Sequence, residues 1–316
     1  MRVNIRAALR ALIRTPAFTL TVVLTLAVGL AAATAMFSIV HGVLLAPLPF
    51  KQPDRLFALG WDSPRQPGLG QPLELRSIYL AASPQIEAIG FYRDGRGESN
   101  VWDENSREPA QGRRASWLGP GLLEMLGVPP LLGRHFTEDE YRMGDRGAVL
   151  LSEAEWRSRY RADPDVIGRT LMVNSVRRQI IGVMPAHFAF PNEHTRLWMP
   201  ARLSADGSIA DFSYRGVARL GHGAEPAHIE QVLAARLPEL ARAHPRLQTG
   251  GSTGDWLQAM QPRPGLAPLH ETLTGSASQT LWLLAAAAVL VLAVTWANAA
   301  NLLLIRADTR RAEQAL

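Results

Sequence analysis

The chain consists of two long uncharged stretches separated by a polar segment. From Thr15 to Phe50 the only titratable side chain is His41, and from Thr272 to Ile305 there is none. The run Phe18 to Leu45 has 28 residues, about 42 Å as a helix. Each stretch exceeds the ~20 apolar residues that cross a bilayer. The pattern predicts transmembrane helices over residues 16–45 and 276–305.

Two alternatives to membrane spans fit this pattern less well. The four arginines of residues 1–14 could form the basic region of a cleavable signal peptide. The apolar part of such a peptide is about 7–15 residues long, however, and this run continues well beyond that length. The second stretch could be a buried helix of a soluble protein, but its 34 uncharged residues end in a basic flank, which favours a span. The flanking residues are Arg306, Arg310 and Arg311.

The segment between the spans, residues 46–275, mixes the periods of strands and helices. Ser152 and Glu155 form a capping box that opens a helix ending near Tyr160. Asn174-Ser175 separates two strand patterns and predicts a hairpin. The segment is therefore predicted to be an α+β domain with two subdomains. Strands are predicted at 56–61, 98–103, 110–117, 148–151, 170–173 and 177–183, helices at 73–81, 84–89, 122–126 and 226–244, and loops at 250–254 and 262–268.

Charge assigns the topology. The chain has 33 basic and 28 acidic side chains. The excess lies on the tails 1–15 and 306–316, whereas the segment between the spans is balanced. By the positive-inside rule both termini are cytoplasmic and the large domain is outside. Because that domain is charge-balanced, no nucleic-acid partner is predicted.

The first tail also has helical spacing. Its arginines recur every four residues, with Arg6, Arg10 and Arg14 following Arg2. This spacing predicts an amphipathic basic helix at residues 1–15 that lies on membrane lipid. A disordered basic tail is the alternative.

Composition excludes several kinds of chemistry. The absence of Cys excludes thiol catalysis and Cys-ligated metals. The only Lys, Lys51, is followed by Gln52 rather than by Ser or Thr. The chain therefore has no phosphate-binding loop of the G-x-x-x-x-G-K-[ST] type and does not hydrolyse ATP through such a loop.

The remaining candidate motifs are weak. Gly250 to Gly254 matches G-x-S-x-G in letters, but no apolar strand precedes Ser252. His187, Glu193 and His194 lack the spacing of metal ligands. We therefore predict no catalytic, cofactor-binding or metal-binding residues and no enzymatic activity.

Small and amide side chains in the two spans predict how these helices pack. Gly29 and Ala33 are four residues apart, a spacing that allows close helix approach. The second span repeats this spacing and then carries two amides. We expect this face to contact other helices, with Ala33 close to Ala297. The residues of this face are Ala293, Ala297, Asn298 and Asn301.

Ten segments carry a resemblance to a known family: RALIRTPAFT at 10–19, PLPF at 47–50, PDRL at 53–56, LLGRHFT at 131–137, AVLLS at 148–152, WR at 156–157, DPDVIGRTL at 163–171, IGVMP at 181–185, FAFP at 188–191 and WANAANLLL at 296–304. Together they resemble MacB/FtsX-type ABC transporter permeases of type VII, and most of all the duplicated permeases of acidobacteria. One departure is Asn174-Ser175, where the family usually carries Asn-Gly. The other is that the sequence stops just after the second span, so it resembles the N-terminal portion of a permease, as a truncated product or a fragment.

The resemblance implies a permease subunit in the bacterial inner membrane. A separate cytoplasmic ABC ATPase would bind ATP and drive a conformational change of a periplasmic domain, for export or for mechanical signalling across the envelope. The arginines of the two tails would face this ATPase, and residues 306–316 would begin an FtsX-like domain. The resemblance also implies a dimer or pseudo-dimer of permease halves and a periplasmic adaptor.

Two other functions remain open. A two-span sensor that binds a ligand outside would have the same topology, although it normally continues into a cytoplasmic signalling module. A membrane-anchored extracytoplasmic enzyme would need a reactive group of residues.

Overall fold

A computed structural model of the protein describes residues 16–103, 109–143, 147–201, 203 and 207–314. The chain forms two compact units. One consists of residues up to Ala46 together with those from Thr274 onward, and the other, termed the outer domain, is Pro47–Leu273.

The first unit contains two long apolar helices. Helix α1, Pro16–Val40, begins with a proline, whose missing N–H and fixed φ suit the first turn of a helix. It continues into a π-helical turn, His41–Leu45. The second apolar stretch belongs to the last helix of the chain, Leu269–Gln314. Thr19–Val40 and Ser278–Asn301 are long and apolar enough to cross a membrane, and most of their large side chains are exposed, as in helices that face lipid.

The outer domain combines helices with one mixed sheet that has ten strands among the described residues. The strands are β1 (Leu56–Asp62), β2 (Ile86–Trp102), β3 (Gln111–Leu118), β4 (Leu132–Gly133), β5 (Gly147–Ser152), β6 (Thr170–Val173), β7 (Val176–Met184), β8 (Thr195–Pro200), β9 (Arg215–Leu220) and β10 (Arg263–Pro268). The helices are α2 (Leu75–Ala82), α3 (Leu122–Leu126), α4 (Glu138–Met143), α5 (Glu153–Tyr160), α6 (Pro226–Ala243) and α7 (Thr253–Met260), and the last helix, α8, follows β10 directly.

The strand order is β10-β1-β9-β2-β3-β8-β5-β7-β4. The pairs β3–β8 and β5–β7 are parallel, and the other pairs are antiparallel. Strand β6 pairs with both β2 and β7, so β2, β3, β8, β5, β7 and β6 form a closed circuit. The 17 residues of β2 reach from the open part of the sheet into this circuit.

Three apolar clusters fill the outer domain. The first contains Leu56, Leu118 and Trp198. The second packs Tyr79 of α2 and Leu240 of α6 with residues of the open part of the sheet. The third gathers side chains of the closed circuit. Its members include Val101, Leu151, Leu171, Ile180 and Leu197.

The structure confirms the predicted α+β domain between two apolar helices, together with several local elements. Ser152 Oγ accepts a hydrogen bond from Glu155 N (3.1 Å) at the start of α5. Asn174 and Ser175 join β6 to β7, with φ angles of 48° and 67°. A two-residue hairpin turn of type I′ requires positive φ at both positions. The division of the outer domain into two subdomains stays a prediction.

Three local predictions are wrong. Residues 84–89 are not a helix: β2 begins at Ile86, because pairing with β9 prevails over local propensity. Residues 262–268 are not a loop, since Arg263–Pro268 pairs with β1 as an edge strand, where proline is tolerated. The predicted loop at 250–254 contains the start of α7.

Candidate functional site

The two apolar helices meet where Gly29 of α1 lies against Thr295 of α8. A Cβ atom placed on Gly29 would lie 3.0 Å from both Cγ2 and Oγ1 of Thr295. Thr295 Oγ1 donates a hydrogen bond to Val291 O in its own helix (2.7 Å), which satisfies the hydroxyl inside the apolar segment. The absence of a side chain on Gly29 therefore permits this close approach.

Helical periodicity gives α8 a continuous contact face. Its buried and half-buried residues follow alternating steps of three and four, the spacing of helices that pack along a seam. Between residues 281 and 300 they are Leu281, Ala285, Ala288, Leu292, Thr295 and Ala299.

Four of the six residues predicted to pack are exposed in this structure. On α1, Gly29 is buried and Ala33 is half-buried. Ala297 lies two residues from Thr295, about 200° around the helix. In this structure Gly29 of α1 contacts Thr295 of α8, and the pairing of Ala33 with Ala297 stays a prediction. Packing of the exposed residues against other helices stays a prediction. These exposed residues are Ala293, Ala297, Asn298 and Asn301.

The predicted cationic residues lie in the two tails of the sequence. Arg6, Arg10 and Arg14 fall outside the described residues. The last turns of α8 continue to Gln314, beyond the predicted end of the span at residue 305. They contain Arg306, Arg310 and Arg311.

In the outer domain, the strand that follows α1 lies beside the strand that leads to α8. Strands β1 and β10 are antiparallel, with Phe57 opposite Pro268. Leu269, the first residue of α8, is fully buried and shares an apolar cluster with Phe50. The incoming and outgoing segments of the outer domain are thus joined by a hydrogen-bonded strand pair and a common core.

Arg219 of β9 links the segment between α1 and β1 to the rest of the outer domain through hydrogen bonds. Its Nη2 donates to Lys51 O (2.5 Å) and to Met125 O (2.7 Å), and its Nη1 donates to Gln52 O (3.2 Å). Met125 lies in the last turn of α3, where carbonyl groups need donors from outside the helix. The Arg219 side chain is buried, and desolvation together with the charge of Arg55 lowers its pKa.

Sequence reasoning missed both Arg219 and Thr295, although each carries a signal. Strand alternation places Arg219 on the same face as the buried Val217. A charged residue at an inward strand position indicates a specific set of partners. Thr295 is a polar residue in an apolar run, seven residues after Ala288 and hence on the same helix face.

The residues considered for catalysis have other roles or positions. Ser252 Oγ accepts hydrogen bonds from Gly254 N (3.1 Å) and Asp255 N (3.5 Å), so this hydroxyl caps α7. His194 and Glu193 are exposed, with 3.7 Å between Nε2 and Oε1. Among the described residues no group of three or more His, Asp or Glu could hold a metal ion.

Several cavities lie beside the sheet of the outer domain. One, of about 470 Å³, is bordered by small residues of β1 and β10, including Gly60 and Gly265. Another, of about 440 Å³, is bordered by Arg93 and Trp117. The Arg93 guanidinium carbon lies 4.5 Å from the centroid of the Trp117 ring, and Nη1 donates to Asp211 Oδ2 at 2.7 Å. Arg93 is therefore held by groups of the protein itself.

The chain matches the model of one protein family, the MacB-like periplasmic core domain, over residues 19–262. Among solved structures, a domain of a candidate permease protein from Porphyromonas gingivalis has a TM-score of 0.50 and 18% identity, over 69% of this chain and 92% of that one. At this identity the likeness shows a common fold.

Two further structures are similar at lower scores. The periplasmic region of MacB from Actinobacillus actinomycetemcomitans has a TM-score of 0.46 and 12% identity, over 71% of this chain and 97% of that one. The extracellular domain of the noncanonic ABC-type transporter YknZ from Gram-positive bacteria has a TM-score of 0.43 and 10% identity, over 67% and 99%. No curated protein matches the sequence.

Proposed function

The chain belongs to the family of MacB-like periplasmic core domains of ABC transporter permeases, and we propose that it is a permease subunit that couples ATP hydrolysis by a separate ATPase to a conformational change of the outer domain. The change serves export or mechanical signalling across the envelope. Permeases of this family generally work with a cytoplasmic ATPase. The resemblance of segments such as WANAANLLL at 296–304 to the duplicated permeases of acidobacteria supports the same assignment.

The observation that carries the proposal is the junction of strands β1 and β10. Force applied along α8 reaches Leu269, whose side chain is buried in the outer domain. Phe57 of β1 lies opposite Pro268, the residue just before it. A displacement of either apolar helix therefore acts on the same strand pair. Strand β9, which pairs with β1, carries Arg219, and the hydrogen bond from Arg219 to Met125 O connects this strand to α3. In this proposal the outer domain moves without performing chemistry.

The proposed location is the bacterial inner membrane, with both termini in the cytoplasm and the outer domain in the periplasm. The support is the charge of the tails, because positive residues near a span are retained on the cytoplasmic side. The chain binds no cofactor in this proposal, and ATP is bound by the partner. The arginines of the two tails, among them Arg14 and Arg306, face the ATPase and the lipid surface.

The exposed face of α8 supports a larger assembly. It presents small and amide side chains on an apolar helix, and in lipid such residues promote close packing and hydrogen bonding between helices. We assign them to contacts with a further transmembrane helix in a dimer or pseudo-dimer of permease halves. A periplasmic adaptor completes the proposed partners. The residues of this face are Ala293, Ala297, Asn298 and Asn301.

Co-purification tests the central partner. The full chain carries an affinity tag, is extracted from its native membrane in mild detergent, and is assayed for vanadate-sensitive ATP hydrolysis. We expect an ABC ATPase to co-purify in an amount equimolar to the tagged chain. A triple variant, Arg6→Gln, Arg10→Gln, Arg14→Gln, should retain less ATPase. The control variant Arg157→Gln, which changes an exposed arginine of the outer domain, should retain as much as the parent chain. A chain purified without ATPase or ATP hydrolysis would overturn the proposal and favour a two-span sensor.

Membrane-impermeant maleimide tests the topology independently. The chain has no native Cys, so single introduced residues report cleanly. Glu193→Cys, at an exposed loop position, should react in cells with a permeabilised outer membrane. Thr309→Cys should react only after the inner membrane is opened. The reverse pattern would contradict the assigned orientation.

A further inference from the structure

A polar cavity of about 430 Å³ opens beside strands β2, β3 and β8 of the closed circuit. Strand β3 contributes Arg113 and Arg114, and strand β8 contributes Arg196. Glu98 of β2 and Glu155 of α5 also line it. Arginines thus outnumber carboxylates on the walls of this cavity.

The floor of the cavity is a fixed network around one buried carboxylate. Glu155 is 1% exposed and accepts hydrogen bonds from Arg113 Nε (2.6 Å) and from Arg159 Nε (2.7 Å). Gln111 Oε1 accepts from an Nη2 atom of each arginine, at 2.5 and 3.2 Å. Two guanidinium groups are therefore held in place by one carboxylate and one amide oxygen.

The rim adds two further arginines. Arg114 is exposed and lies in register with Glu98 of β2 on one side and Thr195 of β8 on the other. Arg196 Nη1 donates to the backbone oxygen of Glu193 (3.0 Å), a neutral acceptor that leaves the charge of Arg196 in place.

One more carboxylate, Asp94 of β2, lies within electrostatic reach of Arg114. Burial raises the pKa of Asp94 and outweighs the opposing effect of Arg114, and Asp94 Oδ2 accepts a hydrogen bond from Asn192 Nδ2 (2.8 Å). The charge of Arg215 also acts on Asp94, so two arginines share this carboxylate.

We propose that this cavity binds a small oxyanion, a phosphate or carboxylate group, between Arg114 and Arg196 above the Arg113–Glu155 network. Guanidinium groups bind such oxygens through paired N–H donors. The network below cannot turn away, because Glu155 and Gln111 fix it, so the site is formed before the anion arrives. This inference is independent of the proposed coupling to an ATPase.

Calorimetric titration of the full chain in neutral detergent with inorganic phosphate tests the site. We expect saturable binding that weakens as salt rises, because exposed charges are screened over about 8–10 Å at physiological ionic strength. Arg114→Gln and Arg196→Gln should each raise Kd at least tenfold, about 1.4 kcal/mol. Arg114→Lys should fall between Arg114→Gln and the parent chain, since it keeps the charge but loses the planar fork.

The matched control is Arg157→Gln. Arg157 lies on the same helix as Glu155, its side chain is 63% exposed, and it pairs with Glu153, which does not line the cavity. Its Kd should stay within twofold of the parent. Succinate and glycerol 3-phosphate, titrated in parallel, distinguish a soluble carboxylate from a phosphate such as a lipid headgroup carries. No saturable binding of any of the three, or equal weakening in Arg157→Gln, would overturn the proposal.

Discussion

Replacing Gly29 with leucine should separate the two apolar helices. The first added atom, Cβ, would lie 3.0 Å from Thr295 Cγ2 and Oγ1, whereas carbon atoms pack best at about 3.5–4.0 Å. The helices must therefore move apart by at least about 0.5 Å for Cβ alone, and further for the rest of the side chain. Overpacking of this kind costs about 1–3 kcal/mol, which corresponds to a roughly 5–150-fold weaker association.

A disulfide between the helices measures this change. Consecutive spans run in opposite directions, so Ala33, one turn after Gly29, should face Leu292, about one turn before Thr295. Both positions are half-buried. The effective concentration of the Ala33→Cys, Leu292→Cys pair is read from its equilibrium with a glutathione buffer. It should fall at least about fivefold when Gly29→Leu is added.

The structure offers a matched control for this experiment. Gly42 lies in the same apolar stretch, and a Cβ atom there would meet nothing within 4 Å. Gly42→Leu should therefore leave the effective concentration unchanged. An unchanged value in Gly29→Leu, or an equal loss in Gly42→Leu, would refute the contact between Gly29 and Thr295.

Two further predictions concern the outer domain. Arg219→Met should lower the stability of the outer domain by about 3 kcal/mol, because three backbone oxygens lose charged donors. A calorimetric scan should show Tm falling by about 6–12 °C. The control variant Arg157→Gln should show no such fall. Burial raises the pKa of Glu140, but hydrogen bonds from Arg134 and Thr137 outweigh burial and lower the pKa overall. Ionised Glu140 therefore stabilises the folded state. This stabilisation is complete above the unfolded pKa of about 4.3 and is lost as the pH falls through the lower folded pKa. Glu140→Gln should thus reduce stability at pH 7 and flatten its decline below about pH 4.3; an unaltered profile in denaturant titrations would contradict this.

Elements specified by neighbouring residues could be predicted from the sequence. The capping box of Ser152 and Glu155 needs only a three-residue spacing, and the Asn174-Ser175 turn needs residues that tolerate positive φ. Strand β10 could not be predicted in this way, because RPGLAP has turn-like composition and becomes a strand only through pairing with β1, about 200 residues earlier in the chain.

The contacts between the two apolar helices, too, could be predicted only in part from the sequence. The length and apolarity of the two helices follow from composition, and Gly29 is identified by its small size. The face of α8 that contacts Gly29 cannot be identified in this way, because small residues occur on several sides of α8. Ala293 lies on one side and Ala288 on another. Thr295 marks the contact face only when the whole series of buried and half-buried residues is considered.

In the proposed function, ATP hydrolysis by a partner moves the outer domain through the paired strands β1 and β10. Spin labels on Gly60→Cys of β1 and Glu193→Cys in the loop before β8 report a distance within that domain, and both positions are exposed. Pulsed electron–electron double resonance on the permease with its ATPase should show this distance distribution shift between the nucleotide-free state and the vanadate-trapped state. It should remain fixed when the ATPase is omitted. Identical distributions in the two nucleotide states of the active complex would show that ATP hydrolysis does not move the outer domain.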